Sequence, residues 1–238
     1  MAHPDDAEIL CGGVLIRLAE LGWQVHIATV AAGDCGSATL GRDEIAKIRR
    51  EEGRKAAESI GGTYHALCEP DVHVTFSEAT IKKAIELFRQ VNPRLVITHP
   101  RHDYMLDHEQ THLLARAAAF SFPIPNASSL PCPPGAHIPY LYYADPVEGH
   151  DPYTGESVTP TTLIDIGSVI DRKAEMLACH ASQREWLRSH HGMDEYIEAM
   201  KRHGAERGSL IGTSYAEAFR QHLGHAFPHD DLLMSLLK

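Results

Sequence analysis

Two adjacent carboxylates stand at the beginning of the sequence, beside a histidine and a proline. The chain starts MAHPDDAEIL, which places His3, Asp5 and Asp6 directly before a segment of helical period. Like charges this close raise the pKa of one carboxyl group unless a cation or strong donors keep both ionised. Pro4 favours an extended backbone at His3, so His3 and Asp6 can face one point. Histidine nitrogen and carboxylate oxygen are good ligands for zinc or another divalent metal, but a third ligand must come from elsewhere.

The best source of a third ligand is the segment RHDYMLDHEQTH, in which His108 stands at the start of a predicted helix. The same segment contains a competing pattern, because His108, Glu109 and His112 match the zinc-protease motif H-E-x-x-H. That motif belongs inside a long helix and needs a further ligand on a later one. It would also leave the histidine and carboxylates of the chain start without a role. The protease is therefore the alternative, and His112 is predicted to be a packed or surface residue.

The positions of these residues depend on the elements around them. Apolar β-branched runs alternate with segments of helical period, which predicts an α/β fold: a Rossmann-like, doubly wound, mostly parallel sheet with helices on both faces. The predicted strands are Val25–Val30, Thr63–Glu69, Arg94–His99, Tyr140–Asp145 and Thr161–Ile166. The predicted helices cover about 8–21, 43–60, 77–91 and 106–120, followed by a helical C-terminal region at about 168–188, 193–206 and 214–223. Six prolines predict a surface loop over Ser121–Pro139. We interpret residues 1–238 as a single domain.

The first motif raises a question of topology. Ligand sites of open α/β sheets form beyond the carboxyl ends of strands, yet His3 is almost at the first residue of the sequence. Either a strand leads into Met1 from its N-terminal side, or the sheet lacks that strand. We favour the first.

Composition narrows the class of protein. A formal net charge of −10 argues against a sequence-independent grip on nucleic acid. The sequence has no apolar run long enough to span a membrane and no basic segment followed by an apolar one at its start, so the predicted location is the cytoplasm. Its five cysteines are scattered and include no C-x-x-C pair, which predicts free thiols. Seventeen histidines make metal or acid–base chemistry plausible.

The motifs together resemble a known family. They are AHPDD followed by a Gly-Gly helix, GDCGS, Arg49 with Glu52 and Ala56 ahead of IGG, the DYMLDH loop, HASQ at His180 and the late YAEAF. In this order they are similar to the LmbE/PIG-L superfamily of zinc-dependent de-N-acetylases, and the match runs almost end to end. The resemblance implies a Rossmann-like fold and hydrolysis of an N-acetyl group on an N-acetylglucosamine-type sugar or conjugate.

The resemblance also implies roles. His3, Asp6 and His108 would bind one zinc ion per chain, and Asp5 would be the base that deprotonates the attacking water. This accounts for the adjacent carboxylates, since the cation neutralises one and the other remains free. Arg49 would lie near the substrate, although a salt bridge to Glu52 explains it equally well.

The sequence departs from the family at Met105. Many members carry a histidine there, which stabilises the oxyanion or protonates the leaving amine, and Asp107 would orient it. We list Asp107 with the catalytic residues, with its role in doubt. The candidate replacements are His99, His102, His190 and His191, of which we favour His191.

Several alternatives stay open at this stage. A catalytically inactive carbohydrate-binding relative fits the change at Met105. Iron, manganese or cobalt could replace zinc, because the ligand set suits several metals. The expected partner is a small N-acetylated sugar or glycoconjugate, with no nucleic acid or membrane, and a homo-oligomer is open. Gly33 and Gly36 in AAGDCGS are explained by turn formation alone.

Overall fold

A computed structural model describes residues 1–184 and 195–238 of the chain. It is an α/β fold with seven named helices and six strands in the described part. The helices are α1 (Asp6–Glu20), α2 (Arg42–Ser59), α3 (Glu78–Val91), α4 (Leu106–Ser121), α5 (Ile170–Ala178), α6 (Glu195–Ser209) and α7 (Leu232–Leu236). The strands are β1 (His26–Ala31), β2 (Thr63–Glu69), β3 (Leu95–Thr98), β4 (Tyr140–Ala144), β5 (Thr162–Asp165) and β6 (Ala216–Gln221).

The strands form two hydrogen-bonded groups. One group is the parallel pair β1–β2, in register from His26 opposite Thr63. The other has the order β3–β4–β6–β5, with β3 and β4 parallel and β6 antiparallel to both of its neighbours. The α/β class is confirmed, and the sheet is mixed because β6 reverses direction.

The prediction of a helix over 214–223 is wrong, because this segment contains β6. Alanine, glutamate and arginine in AEAFRQ favour a helix when taken alone. In the folded chain the segment fills the place between β4 and β5, and its first four residues are buried. Pairing on both sides and burial outweigh the intrinsic preference.

The helix predicted over 168–188 is interrupted near 179–180, since residues 170–178 and 181–184 are helical and 185–188 lie outside the described residues. A 3-10 turn at Gly167–Val169 leads into α5, which ends at Ala178. The chain then turns so that the ring of His180 is fully buried, with its Nε2 atom 3.3 Å from Glu8. The predicted loop Ser121–Pro139 is confirmed after the last residue of α4, apart from one 3-10 turn at Pro125–Ala127.

The main apolar core surrounds α1. Ala7, Leu10, Val14 and Leu18 of this helix are buried with residues of β1, β4, β5, β6 and α5. The free-thiol prediction is confirmed for all five cysteines. Among the described residues, none of the helices combines the length and apolar character that a membrane crossing requires.

Candidate metal centre and active site

The first six residues form a strand-like entry followed by a tight turn. The N–H of Met1 donates to the carbonyl of Ala28, and the carbonyl of Met1 accepts from the N–H of Val30, as in a parallel ladder with β1. The chain turns at Asp5, whose φ of 115° is in the left-handed region that non-glycine residues rarely adopt. This turn aims the side chains of His3 and Asp6 at one point.

Three acceptor atoms converge at that point. His3 Nδ1 and His108 Nε2 are 3.2 Å apart, and each lies 3.6 Å from Asp6 Oδ2. All three side chains are buried. The structure therefore brings together the three residues expected to bind metal, although His3 and His108 are 105 positions apart in the sequence.

The outer nitrogens of the two histidines face carboxylates. His3 Nε2 lies 3.2 Å from Asp107 Oδ2, and His108 Nδ1 lies 2.9 Å from Asp103 Oδ1. Because a carboxylate only accepts, each outer nitrogen carries a proton, and the inner nitrogen is the one that can offer a lone pair to a cation. Carboxylates that orient histidines in this way are typical of metal sites. Two imidazole lone pairs and one carboxylate oxygen thus fit a divalent cation such as zinc.

The pKa shifts follow from this crowding of acceptors. Burial would lower the pKa of His3, but its hydrogen bonds with Asp107 and Asp6 raise it to about 10. Burial would raise the pKa of Asp6, but the neighbouring His108 and His99 hold it well below its usual range. The cluster therefore favours positive charge between its acceptors, which a proton or a metal cation can supply.

His99 and Asp103 were not predicted in these positions. The N–H of Ala2 donates to His99 Nε2 over 2.9 Å, so this nitrogen is an acceptor and its lone pair is in use. The ring of His99 stacks on that of His108 with 4.0 Å between centroids, and burial and the neighbouring His108 lower the pKa of His99 to about 4. His99 and Asp103 thus support His108. The available sequence signal was their position directly after β3.

Asp5 is held separately from the three convergent residues. Its Oδ2 atom accepts a hydrogen bond from the hydroxyl of Tyr196 over 2.6 Å and lies 3.4 Å from Arg49 Nη2. Burial raises the pKa of Asp5, Arg49 opposes this, and the neighbouring Asp6 raises it further. Both contacts use Oδ2, so Oδ1 is the oxygen that can face a substrate. Sequence reasoning missed Tyr196.

Arg49 does not pair with Glu52. It contacts Asp5, and its Nη2 donates to the carbonyl of Pro4 over 2.7 Å, while Glu52 accepts from Ser182. Gly33 has a φ of +74°, and a Cβ there would lie 2.8 Å from Arg49 Cδ. The glycine therefore allows both the turn and the close approach of the arginine.

The loop in which this sequence differs from the family, at Met105, leads into the first residue of α4. Met105 precedes the first residue of α4, and its N–H donates to Asp103 Oδ1. Asp107 faces His3 and accepts from the N–H of Val72 over 2.7 Å, so in this chain it orients a residue of the centre. The exposed ring of Tyr104 lies edge-on to His108, with 5.3 Å between centroids.

The other candidate histidines lie elsewhere. His102 is exposed and contacts Asp151 over 2.7 Å. His190 and His191 lie outside the described residues. His112 bonds through Nδ1 to the carbonyl of His99 and is buried, which agrees with a packed residue.

The H-E-x-x-H segment does not form a protease-type cluster. Within the described part of the chain, the groups of converging ligand atoms that include His108 use His3 with Asp6, or His99 with Asp103, and not His112. Glu109 accepts from the N–H of Asp103 over 3.1 Å, which stabilises the loop before α4.

The fold and site define an α/β protein with a buried histidine–carboxylate centre at the carboxyl ends of β1 and β3. The family model "PIG-L: GlcNAc-PI de-N-acetylase" matches residues 1–119, half of the chain. The chain belongs to the PIG-L family.

The proteins similar to this chain include some named as deacetylases and one named as a hydratase. The "4-oxalmesaconate hydratase" of Pseudomonas putida is 27% identical and covers 95% of this chain and 87% of its own. The "Diacetylchitobiose deacetylase" of Thermococcus kodakarensis is 26% identical over 76% of this chain and 67% of its own. The solved structure of an N,N'-diacetylchitobiose deacetylase from Pyrococcus horikoshii has a TM-score of 0.77 and 24% identity, covering 97% of this chain and 85% of its own.

Proposed function

We propose that this protein is a metal-dependent hydrolase that removes the N-acetyl group from an N-acetylglucosamine-type sugar or conjugate. The products are acetate and a free amine. The family description and the deacetylase relative support this reaction class. The observation that carries the proposal is the convergence of three acceptor atoms from His3, Asp6 and His108. The neighbouring Asp5 is bound through Oδ2 by Tyr196 and Arg49, which leaves its Oδ1 for the role of base.

His3, Asp6 and His108 would hold the cation, which we propose is zinc, one per chain. When bound there, it would lower the pKa of water and polarise the acyl oxygen. Asp107 and Asp103 bind the outer nitrogens of the two histidines, so the inner nitrogens face the cation. Arg49 and Tyr196 fix the orientation of Asp5 by binding its Oδ2 atom.

Asp5 Oδ1 would accept the proton of the attacking water, whose oxygen bonds to the acyl carbon. The C–N bond then breaks, and the same proton passes to the leaving nitrogen, so the amine leaves neutral together with acetic acid. The acid then gives its remaining proton to solvent and becomes acetate. The raised pKa of Asp5 suits both steps, because a base that must later act as an acid works best when its pKa is near the working pH. We propose that the hydroxyl of Tyr104 donates to the developing oxyanion, in the place where Met105 cannot.

The test is acetate release from N,N'-diacetylchitobiose by Asp5→Asn. We expect kcat to fall about 10²–10⁴-fold, the range for loss of a general base, with the metal content unchanged. His108→Ala is the matched control and should lose both the metal and the activity. An Asp5→Asn variant that keeps wild-type kcat would contradict the proposal.

A hydratase is the second candidate, because the hydratase relative aligns with 95% of the chain. Addition of water to a conjugated acid needs the same activated water. However, Arg49, the buried arginine of the site, is already paired with Asp5 and the Pro4 carbonyl, which favours an uncharged sugar over a polycarboxylate. Incubation with 4-oxalmesaconate, followed by loss of its ultraviolet absorbance, separates the two. A cytoplasmic location and a homo-oligomer remain predictions.

A further inference from the structure

Val72, in the loop after β2, has a strained backbone beside the metal centre. Its φ is 69°, in the left-handed region. A branched Cβ makes valine one of the residues least suited to this region. The N–H of Val72 donates to Asp107 Oδ2 over 2.7 Å, and the same oxygen faces His3 Nε2. The strained residue is therefore part of the structure that positions a metal-binding histidine.

The fold itself does not explain why this residue is a valine. The side chain of Val72 is 66% exposed, so it adds little to the apolar core. The hydrogen bond to Asp107 comes from the backbone, and glycine or asparagine would make it with less strain. Strain of this kind is concentrated at sites that bind or react. An exposed apolar side chain in such a position indicates contact with the molecule that binds there.

Two further apolar side chains lie along the same stretch of α4. Leu106, next to Asp107, is 62% exposed, and Phe76 is 50% exposed. The N–H of Phe76 donates to the side chain of Gln110 over 2.9 Å, and Gln110 lies one helical turn after Leu106. We call Val72, Phe76 and Leu106 the apolar rim. Single exposed apolar residues are ordinary, but a group beside a reactive centre marks a binding surface.

The apolar rim continues outward from the metal centre. The three convergent residues of the centre are buried, whereas the rim and the neighbouring Tyr104 are exposed. A substrate whose acetamido group reaches the centre therefore leaves the rest of its structure among these outer residues. A free oligosaccharide presents mainly hydroxyl groups there, which gain little from apolar side chains. An apolar substituent removes the rim from water and gains free energy in proportion to the area buried.

We propose that the apolar rim binds an apolar group attached to the sugar, and that Val72 determines this specificity. The substrate is then an N-acetylglucosamine conjugate that carries an alkyl or aryl group, and not an unsubstituted oligosaccharide. This inference rests on the proposed function, because the sugar must present its acetamido group to the metal centre for the substituent to reach the rim.

The first test compares three substrates with zinc-loaded wild type. They are the hexyl and methyl β-glycosides of N-acetylglucosamine and N,N'-diacetylchitobiose, which is large but polar. We expect kcat/KM for the hexyl glycoside to exceed that for each of the others about tenfold or more, the range for apolar groups in an apolar site. Equal values for the hexyl and methyl glycosides would overturn the proposal.

Val72→Asn separates binding at the rim from support of the fold. Asparagine keeps the N–H donor to Asp107 and tolerates the left-handed region, so the zinc content should be unchanged and the urea midpoint of unfolding should rise. The preference for the hexyl glycoside should fall to about twofold, because most of the apolar contact is lost. Damage to the fold would instead lower the urea midpoint. A tenfold preference retained in this variant would overturn the role of Val72.

Leu106→Gln is a second variant on the rim and should lose the same preference. Leu223→Asn is the matched control. Leu223 is 60% exposed, and the preceding His222 pairs with Leu141 near the amino end of β4, at the opposite edge of the sheet from the metal centre. Its substitution should leave the preference as in wild type. An equal loss in Leu223→Asn would overturn the assignment to the rim.

A second copy of the chain is the competing occupant of the rim. A wild-type dimer in light scattering that Val72→Asn dissociates would overturn the proposal. If wild type releases acetate from none of the three substrates, the proposed function fails, and calorimetric titration of the two glycosides into the zinc-loaded protein then tests the rim alone. Hexyl binding about tenfold tighter than methyl binding, lost in Val72→Asn, would support the rim, and equal Kd values would overturn it.

Discussion

At the scale of single residues, Tyr104 bears on the change at Met105. Its ring lies against His108, and a tyrosine hydroxyl is protonated at neutral pH, so it can donate a hydrogen bond. We expect Tyr104→Phe to lower kcat about 10²–10³-fold, as the loss of one oxyanion donor does. KM and zinc content should change little.

Tyr153→Phe is the matched control for this prediction. Tyr153 is as exposed as Tyr104, but its hydroxyl contacts Glu109, so its removal should leave kcat within about twofold. Wild-type kcat in Tyr104→Phe would mean that another group serves the oxyanion.

The buried His112 should make the free energy of unfolding depend on pH. Burial lowers its pKa to about 4, against about 6.5 in an unfolded chain. The unfolded state therefore binds more protons as the pH falls through 6.5, so the contribution of neutral His112 to stability is complete above pH 6.5 and is lost between 6.5 and 4. His112→Asn keeps a donor for the His99 carbonyl but does not titrate.

Urea unfolding at pH 7 and pH 5 measures this difference. Wild type should lose up to about 2 kcal/mol more than His112→Asn between the two values. The zinc content of the variant should be unchanged, whereas a protease-type centre would lose it. Equal losses in both proteins would show that His112 is not held neutral.

At the scale of elements, a buried ion pair connects α1, α5 and β6. Lys173 Nζ lies 2.7 Å from Glu217 Oε1, and both side chains are almost fully buried. Glu217 also accepts from the N–H groups of Gly13 and Val14, each over 2.7 Å, inside α1. This carboxylate therefore fixes the helix that begins with the metal-binding turn.

Removing one partner should cost more than removing the charge from both. Lys173→Met leaves an uncompensated carboxylate in the core, and we expect a loss of about 3–5 kcal/mol in the free energy of unfolding. The double variant Lys173→Met, Glu217→Gln should recover most of that loss. Urea unfolding measures both, and a single variant within 1 kcal/mol of wild type would contradict the account.

Elements with a strong local signal were predictable, and β6 was not. The runs that became β1 to β5 are rich in Val, Ile, Leu, Tyr and Thr, so composition alone identified them. The strand AEAFRQ consists largely of helix formers. Its structure depends on β4 and β5, whose positions along the chain are distant.

At the scale of the whole molecule, the candidate site was only partly predictable. His3, Asp6 and His108 belong to motifs that resemblance could identify. Tyr196 could not be assigned, because its contact with Asp5 arises only when α6 reaches the first turn. His99 and Asp103 follow β3 directly, but the sequence did not show that His99 would contact Asp6 or that Asp103 would face His108.

Because the proposed metal ligands are far apart in the sequence, metal binding should raise the free energy of unfolding of the whole fold. His3 and His108 are 105 positions apart, so a cation that binds both has affinity only for the folded chain. At a free zinc concentration of about 100 Kd this contributes about 2.7 kcal/mol. For a chain of this size, that corresponds to a Tm shift of about 5–10 °C. A chelator should therefore lower the Tm of wild type and of Asp5→Asn by this amount in scanning calorimetry. It should not lower that of His108→Ala, and an unchanged wild-type Tm after verified removal of zinc would contradict the three-residue centre.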